Sequence, residues 1–423
     1  MLTLIIFGTL FLLMAIGAPI AVSLGLASIG GLLYSGLNLE VVAQKIVATN
    51  SSFPLLAVPF FILAGEIMAT GGMSRRLVRF VSALVGHLTG GLAAVSIVGS
   101  GFFAALSGSN AATVAAIGGV MTGPMREKGY RPEYTAATIA TAGTLGMIIP
   151  PSILMILYGV VANASIPDLF LAGVLPGVLI LIALLALNRV LVTREKIEPS
   201  PFAGWREVMS SFRSAILPLL MPVIILGGIY GGIFTPTESA VVAVAYGIIV
   251  GFIFRELGVA SIWTALRKTV VQTAVVMFIL NCAGLFAWVI TINQIPQSIS
   301  AWLEHLTGNV YVYLLLVNIF LIGAGCIMNG AAAIVIFAAI LVPAAQSFGI
   351  DPVVFGVIMV VNLSIGTVTP PLGVDLFIAS SITGIPIERI IRASIPHIFT
   401  LIACLIIITY VPWLSTALIG VWD

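Results

Sequence analysis

Two pairs of helix breaks, set inside long apolar runs, constrain the fold of this chain more than any other feature. One half carries Ser-Gly-Ser-Asn at 107–110 and a Gly-to-Pro-Pro break at 146–151. The other half carries Asn-Gly at 329–330 and a Gly-to-Pro-Pro break at 366–371. Glycine and proline interrupt helical hydrogen bonding, and unwound backbone at membrane depth is tolerated where it is buried or lines a wet cavity. Duplicated breaks of this kind are typical of secondary transporters built from internal repeats.

The repeat extends over the whole chain. Matching positions keep the same order, and their separation rises only from 217 to 220 residues, as divergence from one duplication would give. The matched pairs are Pro19 with Pro236 (217 apart), His87 with His305 (218), Asn110 with Asn329 (219) and Pro151 with Pro371 (220).

Composition restricts the class of protein. The chain has 423 residues, of which 60% are hydrophobic and 8% charged, whereas soluble domains carry about a quarter charged residues. Long apolar runs therefore predict a helical protein that crosses the lipid bilayer many times. Residues 1–35 lack a basic leader and predict a retained membrane helix rather than a removed signal peptide. The sequence has no basic patch of the kind that binds nucleic acid. It also has no catalytic dyad or nucleotide-binding motif that would indicate an enzyme.

The few cations predict the orientation of the loops. Arginine and lysine concentrate at 71–79, 125–131, 255–268 and 385–392, while the repeat-related copies of these loops carry at most one cation. Each loop and its copy are therefore expected on opposite faces, with the basic set in the cytoplasm. This arrangement is an inverted-topology repeat.

These patterns predict a path for the chain in two repeats, 1–191 and 214–423, joined by a cytoplasmic linker at 192–213. Residues 3–35 are expected to cross once, with a kink at Gly17-Ala18-Pro19, and an interfacial helix is expected at about 205–212. The C-terminus is expected in the periplasm. Re-entrant hairpins are expected at about 80–124 and 310–343, and broken helices at about 133–162 and 353–383.

The breaks also supply the candidate site. Freed carbonyls and side-chain hydroxyl or amide oxygens suit a hard cation of sodium's size, and half-helix N-termini can face an anion. The candidate sodium- and substrate-binding residues are Ser107, Gly108, Ser109, Asn110, Thr144, Gly146, Pro150, Pro151, Ser152, Gly325, Asn329, Gly330, Gly366, Thr367, Thr369, Pro370, Pro371 and Asp375. Sodium ligands are expected among Ser107, Asn110, Gly325, Asn329, Gly366 and Thr369. Ser364 adds a further hydroxyl.

A plainer interpretation competes with this one. A single Gly-Ser or Pro-Pro in a membrane helix usually marks a kink or close helix packing, but four such motifs in symmetric positions favour a binding site. Three acids within apolar runs are further candidates. Glu66 is expected near the membrane interface in a structural role, Glu238 at a helix start, and Asp375 one turn beyond Pro371, within reach of the site.

The same motifs resemble the large membrane subunit of tripartite ATP-independent periplasmic (TRAP) transporters. The matching stretches are 54–66, 107–109, 146–152, 232–238 (Gly-Ile-Phe-Thr-Pro-Thr-Glu) and 348–373, and the resemblance covers essentially the whole chain. One departure is Met328-Asn329, where the family commonly shows Met-Asp. Asn329 therefore supplies no carboxylate at this position and leaves a neutral oxygen as the available ligand.

The resemblance implies sodium-coupled uptake of an organic acid across a bacterial inner membrane, with Na⁺ as coupling ion and no organic cofactor. The acid would be a C4-dicarboxylate, a sialic or other sugar acid, or a keto acid. It also implies an elevator mechanism and two partners: a small four-helix membrane subunit, expected as a separate chain, and a periplasmic substrate-binding protein.

Three functional hypotheses remain at this point. In the first, 107–110 with 146–152 and 325–330 with 366–371 form the two halves of a sodium and substrate site. In the second, the chain is a stand-alone ion or dicarboxylate carrier of related architecture that needs no binding protein. The third, a membrane scaffold or intramembrane enzyme, is disfavoured because duplicated helix breaks are costly in a scaffold.

Overall fold

A computed structural model describes residues 1–195 and 201–420, and these residues form helices with no β-strand among them. The first repeat contains α1 (Leu2–Ala15), α2 (Ile20–Tyr34), α3 (Glu40–Asn50), a short 3-10 helix (Phe53–Leu56), α4 (Ala57–Thr70), α5 (Met73–Val85), α6 (Gly91–Ser107), α7 (Asn110–Glu127), α8 (Pro132–Gly143), α9 (Leu145–Ile148), α10 (Ile153–Ala162) and α11 (Ile166–Glu195). The second contains α12 (Trp205–Tyr230), α13 (Pro236–Ile253), α14 (Val259–Ile292), α15 (Ile295–Leu306), α16 (Val310–Ile327), α17 (Gly330–Ser347), α18 (Pro352–Gly366), α19 (Val374–Thr383), α20 (Ile387–Tyr410) and α21 (Trp413–Thr416).

The order of helices repeats, with one difference that the sequence explains. The chain breaks between α3 and α4, where Pro54 lies near the start of the 3-10 helix, while the corresponding region of the second repeat is the single 34-residue helix α14. Val271 occupies the position that matches Pro54 at an offset of 217. Because valine keeps its backbone N–H, the helix can continue through this point, whereas proline cannot donate the hydrogen bond.

Contacts at the two ends of the broken helices show that the repeats run in opposite directions. Glu133, at the start of the first broken helix, forms an ion pair of 3.4 Å with Arg389. The second broken helix begins at Pro352, whose carbonyl accepts a hydrogen bond of 2.6 Å from the Tyr158 hydroxyl. Because Tyr158 lies beyond the break of the first broken helix, the second broken helix begins at the far end of the first. The two equivalent helices therefore begin on opposite faces.

The loops that carry the cations lie on one face, as their charge predicts. Arg76 pairs with Glu256 at 2.6 Å, and Arg79 pairs with Glu207 at 2.9 Å. Arg79 and Pro124 line the same surface cavity, which connects this group to the loop after α7. These loops thus share one face, as the charge pattern predicts, and the assignment of that face to the cytoplasm stays a prediction.

The N-terminal 35 residues differ from the prediction of one kinked crossing, which is wrong. The chain reverses at Gly17, whose φ of +84° is readily available only to glycine, and α2 packs back along α1. Gly31 lies so close to α1 that a Cβ there would be 2.9 Å from the Ile6 Cδ1 atom. This pair of helices corresponds to α12 and α13 in the second repeat.

Two other boundaries differ from the expected ones. The first hairpin begins at Gly91 rather than at 80, because 73–85 form the separate amphipathic helix α5. The expected interfacial helix at 205–212 is the first part of α12, which continues to Tyr230. Lys196, Glu198 and Pro199 of the expected linker lie outside the described residues, as does the C-terminal end at 421–423, for which a periplasmic position was expected.

The helices form two groups, and both hairpins belong to the second. Helices α2, α4, α12, α13 and α14 pack together, and a second group contains α6 to α11 with α16 to α20. In the described ranges, eight helices are long and apolar enough to span a membrane, or nine when the bent pair 132–148 and 153–162 counts as one span. The chain is therefore an all-helical membrane protein, and both breaks lie inside the second group.

Candidate functional site

The tip of the first hairpin is built from three consecutive local features. Gly108 ends α6 with a φ of +62°, and Ser109 begins α7 as its N-cap. Ser107 is buried, and its hydroxyl lies 3.0 Å from the Thr113 hydroxyl, which itself donates to the Ser109 carbonyl at 2.8 Å. These bonds hold the Ser-Gly-Ser turn and place Asn110 on the first, buried turn of α7.

This tip lies directly against the first helix break. The Ile153 N–H, just after the break, donates to the Gly108 carbonyl at 3.3 Å. Gly146 leaves the room that the turn needs, since a Cβ there would be 2.5 Å from the Ser109 carbonyl oxygen. Ser152 then caps α10, with the Met155 N–H at 3.4 Å from its hydroxyl.

The second tip and second break meet in the same way. The Leu372 N–H donates to the Cys326 carbonyl at 3.2 Å, a contact that joins the second tip to the second break as the first contact joins the first pair. Gly366 touches Gly325 backbone to backbone, and a Cβ on Gly366 would be 2.5 Å from the Gly325 Cα atom. Asn329 caps α17 by accepting from the Ala331 N–H at 2.8 Å. The Pro150–Pro151 and Pro370–Pro371 peptide bonds are both cis.

Buried side chains join the two halves of the site. The Asn110 amide donates to the Thr367 hydroxyl at 2.9 Å and to the Ser364 hydroxyl at 3.1 Å. Ser364 in turn donates to the Thr144 carbonyl at 2.7 Å. Asp375 is only 1% exposed, and its carboxylate accepts a hydrogen bond of 2.6 Å from the Thr367 hydroxyl. The first tip, the first break and the second broken helix thus form one polar network.

A cavity of about 500 Å³ opens between this network and helices α4 and α14. Predicted residues that line it are Ser107, Gly108, Ser109, Asn329, Gly330, Thr367 and Asp375. The other predicted residues do not line this cavity: Asn110, Thr144, Gly146, Pro150, Pro151, Ser152, Gly325, Gly366, Thr369, Pro370 and Pro371. The opposite wall is largely apolar, with Ile62 from α4 and Val271, Val275 and Val276 from α14.

The donor set fits a small hard cation. The Asn110 Oδ1 atom is buried and has no hydrogen-bond partner among the described residues, a state that it shares with the Asn281 and Asn362 Oδ1 atoms, although buried amide oxygens are normally satisfied. Further neutral oxygens of the kind that binds sodium come from the Ser107 and Asn329 side chains. The backbone carbonyls of Ser109 and Gly325, at the two close glycine contacts, add to them. A cation beside Asn110 would satisfy this oxygen.

Two polar side chains in the cavity wall, Glu66 and Gln272, were not among the predicted ligands. Glu66 lies in the wall, where it accepts from Lys268 at 3.3 Å and from Gln272 at 3.4 Å. Glu66 could have been identified from the sequence because it is an acid within an apolar run, whereas nothing in the sequence marks Gln272 as a lining residue. Thr113, which supports the first tip, was also missed. Glu238 lies elsewhere, exposed at the start of α13, and forms a capping box with Thr235.

Residues 7–414 match the family described as the DctM component of the tripartite ATP-independent periplasmic transporter. The chain belongs to this family. It is 45% identical to the C4-dicarboxylate TRAP transporter large permease protein DctM of Pseudomonas aeruginosa over 398 residues, which are 94% of this chain and 93% of that protein. It is 42% identical to the isethionate TRAP transporter permease protein DctMQ of Oleidesulfovibrio alaskensis, covering 96% of this chain and 65% of that protein.

Family membership makes the chain a large permease, a transport protein rather than an enzyme. Its fold is shared with the YdaH transporter of Alcanivorax borkumensis, with a TM-score of 0.67 at 17% identity, covering 92% of this chain and 89% of that one. The resemblance noted from the sequence motifs and the fold class are both confirmed.

Proposed function

We propose that this large permease carries a small organic acid into a bacterial cell together with sodium, and that the cavity between the hairpin tips and α14 is the substrate site. The charge of the cavity carries the proposal. Its charged lining residues, within the described chain, are the acids Glu66 and Asp375. Glu66 is paired with Lys268 at 3.3 Å, so in the described chain the buried Asp375 carboxylate is the acid without a cationic partner there. An organic anion entering such a cavity needs positive charge from elsewhere, since burying unpaired like charges is costly. Sodium bound at the tips supplies that charge.

The substrate class follows from the size of the cavity and from the relatives. A volume of about 500 Å³ is in the range of small-molecule sites. The Pseudomonas aeruginosa relative is named for C4-dicarboxylates and the Oleidesulfovibrio alaskensis relative for isethionate. A C4-dicarboxylate is the first candidate, and a sialic or other sugar acid or a keto acid follows it.

An elevator movement is the mechanism that we propose for transport. The hydrogen bonds at both tips tie each hairpin to its helix break, so the second group of helices can move as a unit. The wall that α4 and α14 present to it is mostly apolar, and such a surface lacks the directional hydrogen bonds that would fix one position. The cavity would then reach either face in turn.

The partners that we propose are a small four-helix membrane subunit and a periplasmic substrate-binding protein. The family description names a tripartite transporter, which supports two further components. The relative named DctMQ extends beyond the region matched by this chain. The additional region of that relative supports a second membrane subunit, the small one.

Uptake into proteoliposomes tests the proposal. Radiolabelled succinate and isethionate are offered to the full chain with and without a sodium gradient, the small subunit and the binding protein. We expect succinate uptake only when sodium and both partners are present. Uptake indifferent to the sodium gradient would overturn sodium coupling, and uptake by this chain with sodium alone would identify a stand-alone carrier.

A further inference from the structure

A second cavity, of about 490 Å³, lies on the face that carries the arginines, away from the hairpin tips. Its lining includes Arg131, Glu133, Tyr134, Leu191, Arg389 and Arg392. These residues come from α8, from the end of α11 and from α20, so the two repeats build the cavity together. The proposed transport cycle assigns no role to it.

The balance of charge in this cavity favours an anion. Three arginines line it, and Glu133 is the single carboxylate in its described wall. Glu133 is paired with Arg389 at 3.4 Å, and Arg392 has no carboxylate within ion-pair distance in the described part of the chain. The Arg392 guanidinium therefore offers donors in the planar arrangement that matches phosphate oxygens.

Two helices begin at the same place and add to this preference. Helix α8 begins at Pro132 and α20 at Ile387, and neither has a side-chain cap. No side chain therefore competes for the first-turn N–H groups, and both helix dipoles place partial positive charge at this end. An oxyanion between the arginines would face both helix starts.

The surface next to the cavity is suited to an acyl chain. Arg389, Arg392, Pro396 and Phe399 follow each other at spacings of three, four and three residues, so they share one face of α20. Phe399 is 68% exposed, and Leu191 with Pro396 continues the apolar surface into the cavity wall. A charged pocket at the membrane interface followed by an exposed apolar stripe has the polarity of a phospholipid rather than of a free anion.

We propose that this cavity binds the headgroup phosphate of an anionic phospholipid from the cytoplasmic leaflet, with the acyl chains along α20 beside Phe399. Arg389 and Arg392 hold the phosphate, and the lipid joins the start of α8 to the start of α20. The site is distinct from the proposed substrate cavity and does not depend on the identity of the substrate.

Lipid titration of the purified full chain, followed by native mass spectrometry, tests this site. Phosphatidylglycerol is compared with zwitterionic phosphatidylethanolamine, with inorganic phosphate as competitor. The variant is Arg389→Gln with Arg392→Gln, and the matched control is Arg75→Gln with Arg267→Gln, which removes the same charge from exposed positions on the same predicted face.

We expect the first double variant to lose at least about tenfold in phosphatidylglycerol affinity, since it removes both guanidinium groups that hold the phosphate. The control should bind like the parent chain, and millimolar inorganic phosphate should not compete. Equal losses in both double variants, or unchanged binding in the first, would overturn the proposal. Effective competition by inorganic phosphate would replace the lipid with a soluble anion.

Discussion

The Asn110 amide donates to the Thr367 hydroxyl at 2.9 Å, although the two residues are 257 positions apart. Asn110 begins the second arm of the first hairpin, and Thr367 lies at the second helix break. The contact therefore crosses between the two repeats at the point where both helices are interrupted. It also fixes the Asn110 side chain, whose other amide atom, Oδ1, is buried without a partner.

Replacing Asn110 with alanine should weaken sodium coupling more than it weakens the fold. The change removes the orphan oxygen and two buried hydrogen bonds, each worth about 1 kcal/mol. We expect the sodium concentration for half-maximal uptake to rise at least about tenfold, a difference of about 1.4 kcal/mol. Asn318→Ala is the matched control, because Asn318 is a buried asparagine hydrogen-bonded to Thr409 and Asn362 away from the cavity wall.

The control should lower the thermal stability of the protein and leave its sodium dependence unchanged. If Asn318→Ala shifts the sodium dependence as far as Asn110→Ala does, the effect on coupling is a general consequence of lost stability.

Asp375→Asn should retain the fold and lose transport. An asparagine oxygen can still accept from the Thr367 hydroxyl, so the local hydrogen bond persists while the negative charge beside the proposed cation is lost. We expect the initial rate of sodium-driven uptake to fall at least about tenfold. Glu238→Gln serves as control, because Glu238 is exposed in a capping box at the start of α13 and glutamine can serve in such a box. Equal uptake by Asp375→Asn and the parent chain would argue against a role for this carboxylate in binding.

Gly366→Ala should disrupt the second tip. Its Cβ would lie 2.5 Å from the Gly325 backbone, so the hairpin and the break must separate, at a cost of about 1–3 kcal/mol. We expect a lower melting temperature in detergent and loss of uptake. Gly323→Ala, in α16 of the same hairpin, meets nothing within 4 Å and should keep both properties. A fully active Gly366→Ala protein would contradict the close contact.

Sodium should protect Cys326 from alkylation. This cysteine lies at the second tip and is 6% exposed, and its carbonyl accepts from Leu372 across the break. A cation that holds the tip closed reduces the openings through which a maleimide reaches the thiol. In a chain carrying Cys282→Ser and Cys404→Ser, we expect labelling to slow severalfold when sodium replaces potassium. Identical labelling rates in the two salts would count against sodium binding at this tip.

The reversal at Gly17 predicts the position of the N-terminus. Because α1 and α2 pack side by side in opposite directions, both ends of the pair should lie on one side of the membrane. Cysteines introduced at Leu2 and Ser35, in a chain without native cysteines, should react with an impermeant maleimide from the same side. Reaction from opposite sides would restore the single crossing that the sequence alone suggested.

The arrangement of helices was largely predictable because its signals are local. Apolar length identifies membrane helices, glycine and proline interrupt them, and arginine sets their orientation, all within a few residues of each break. The broken helices at 132–162 and 352–383 therefore lie close to their predicted limits. Gly17-Ala18-Pro19 was ambiguous, because the same residues suit a kink and a reversal, and only the packing of Gly31 on Ile6 distinguishes them.

By itself, the sequence determined an inverted repeat of membrane helices with two hairpin tips and two breaks, since each rests on the chemistry of neighbouring residues. Only the tertiary structure decided which oxygens meet. The bond from Asn110 to Thr367 joins residues 257 positions apart, a separation that the sequence repeat does not contain. The bond from Ser364 to Thr144 joins two repeat-related positions, 220 apart, but the repeat alone does not show that they touch. The arginine cavity has the same origin, because Arg131 and Arg392 come together through the packing of α8 on α20.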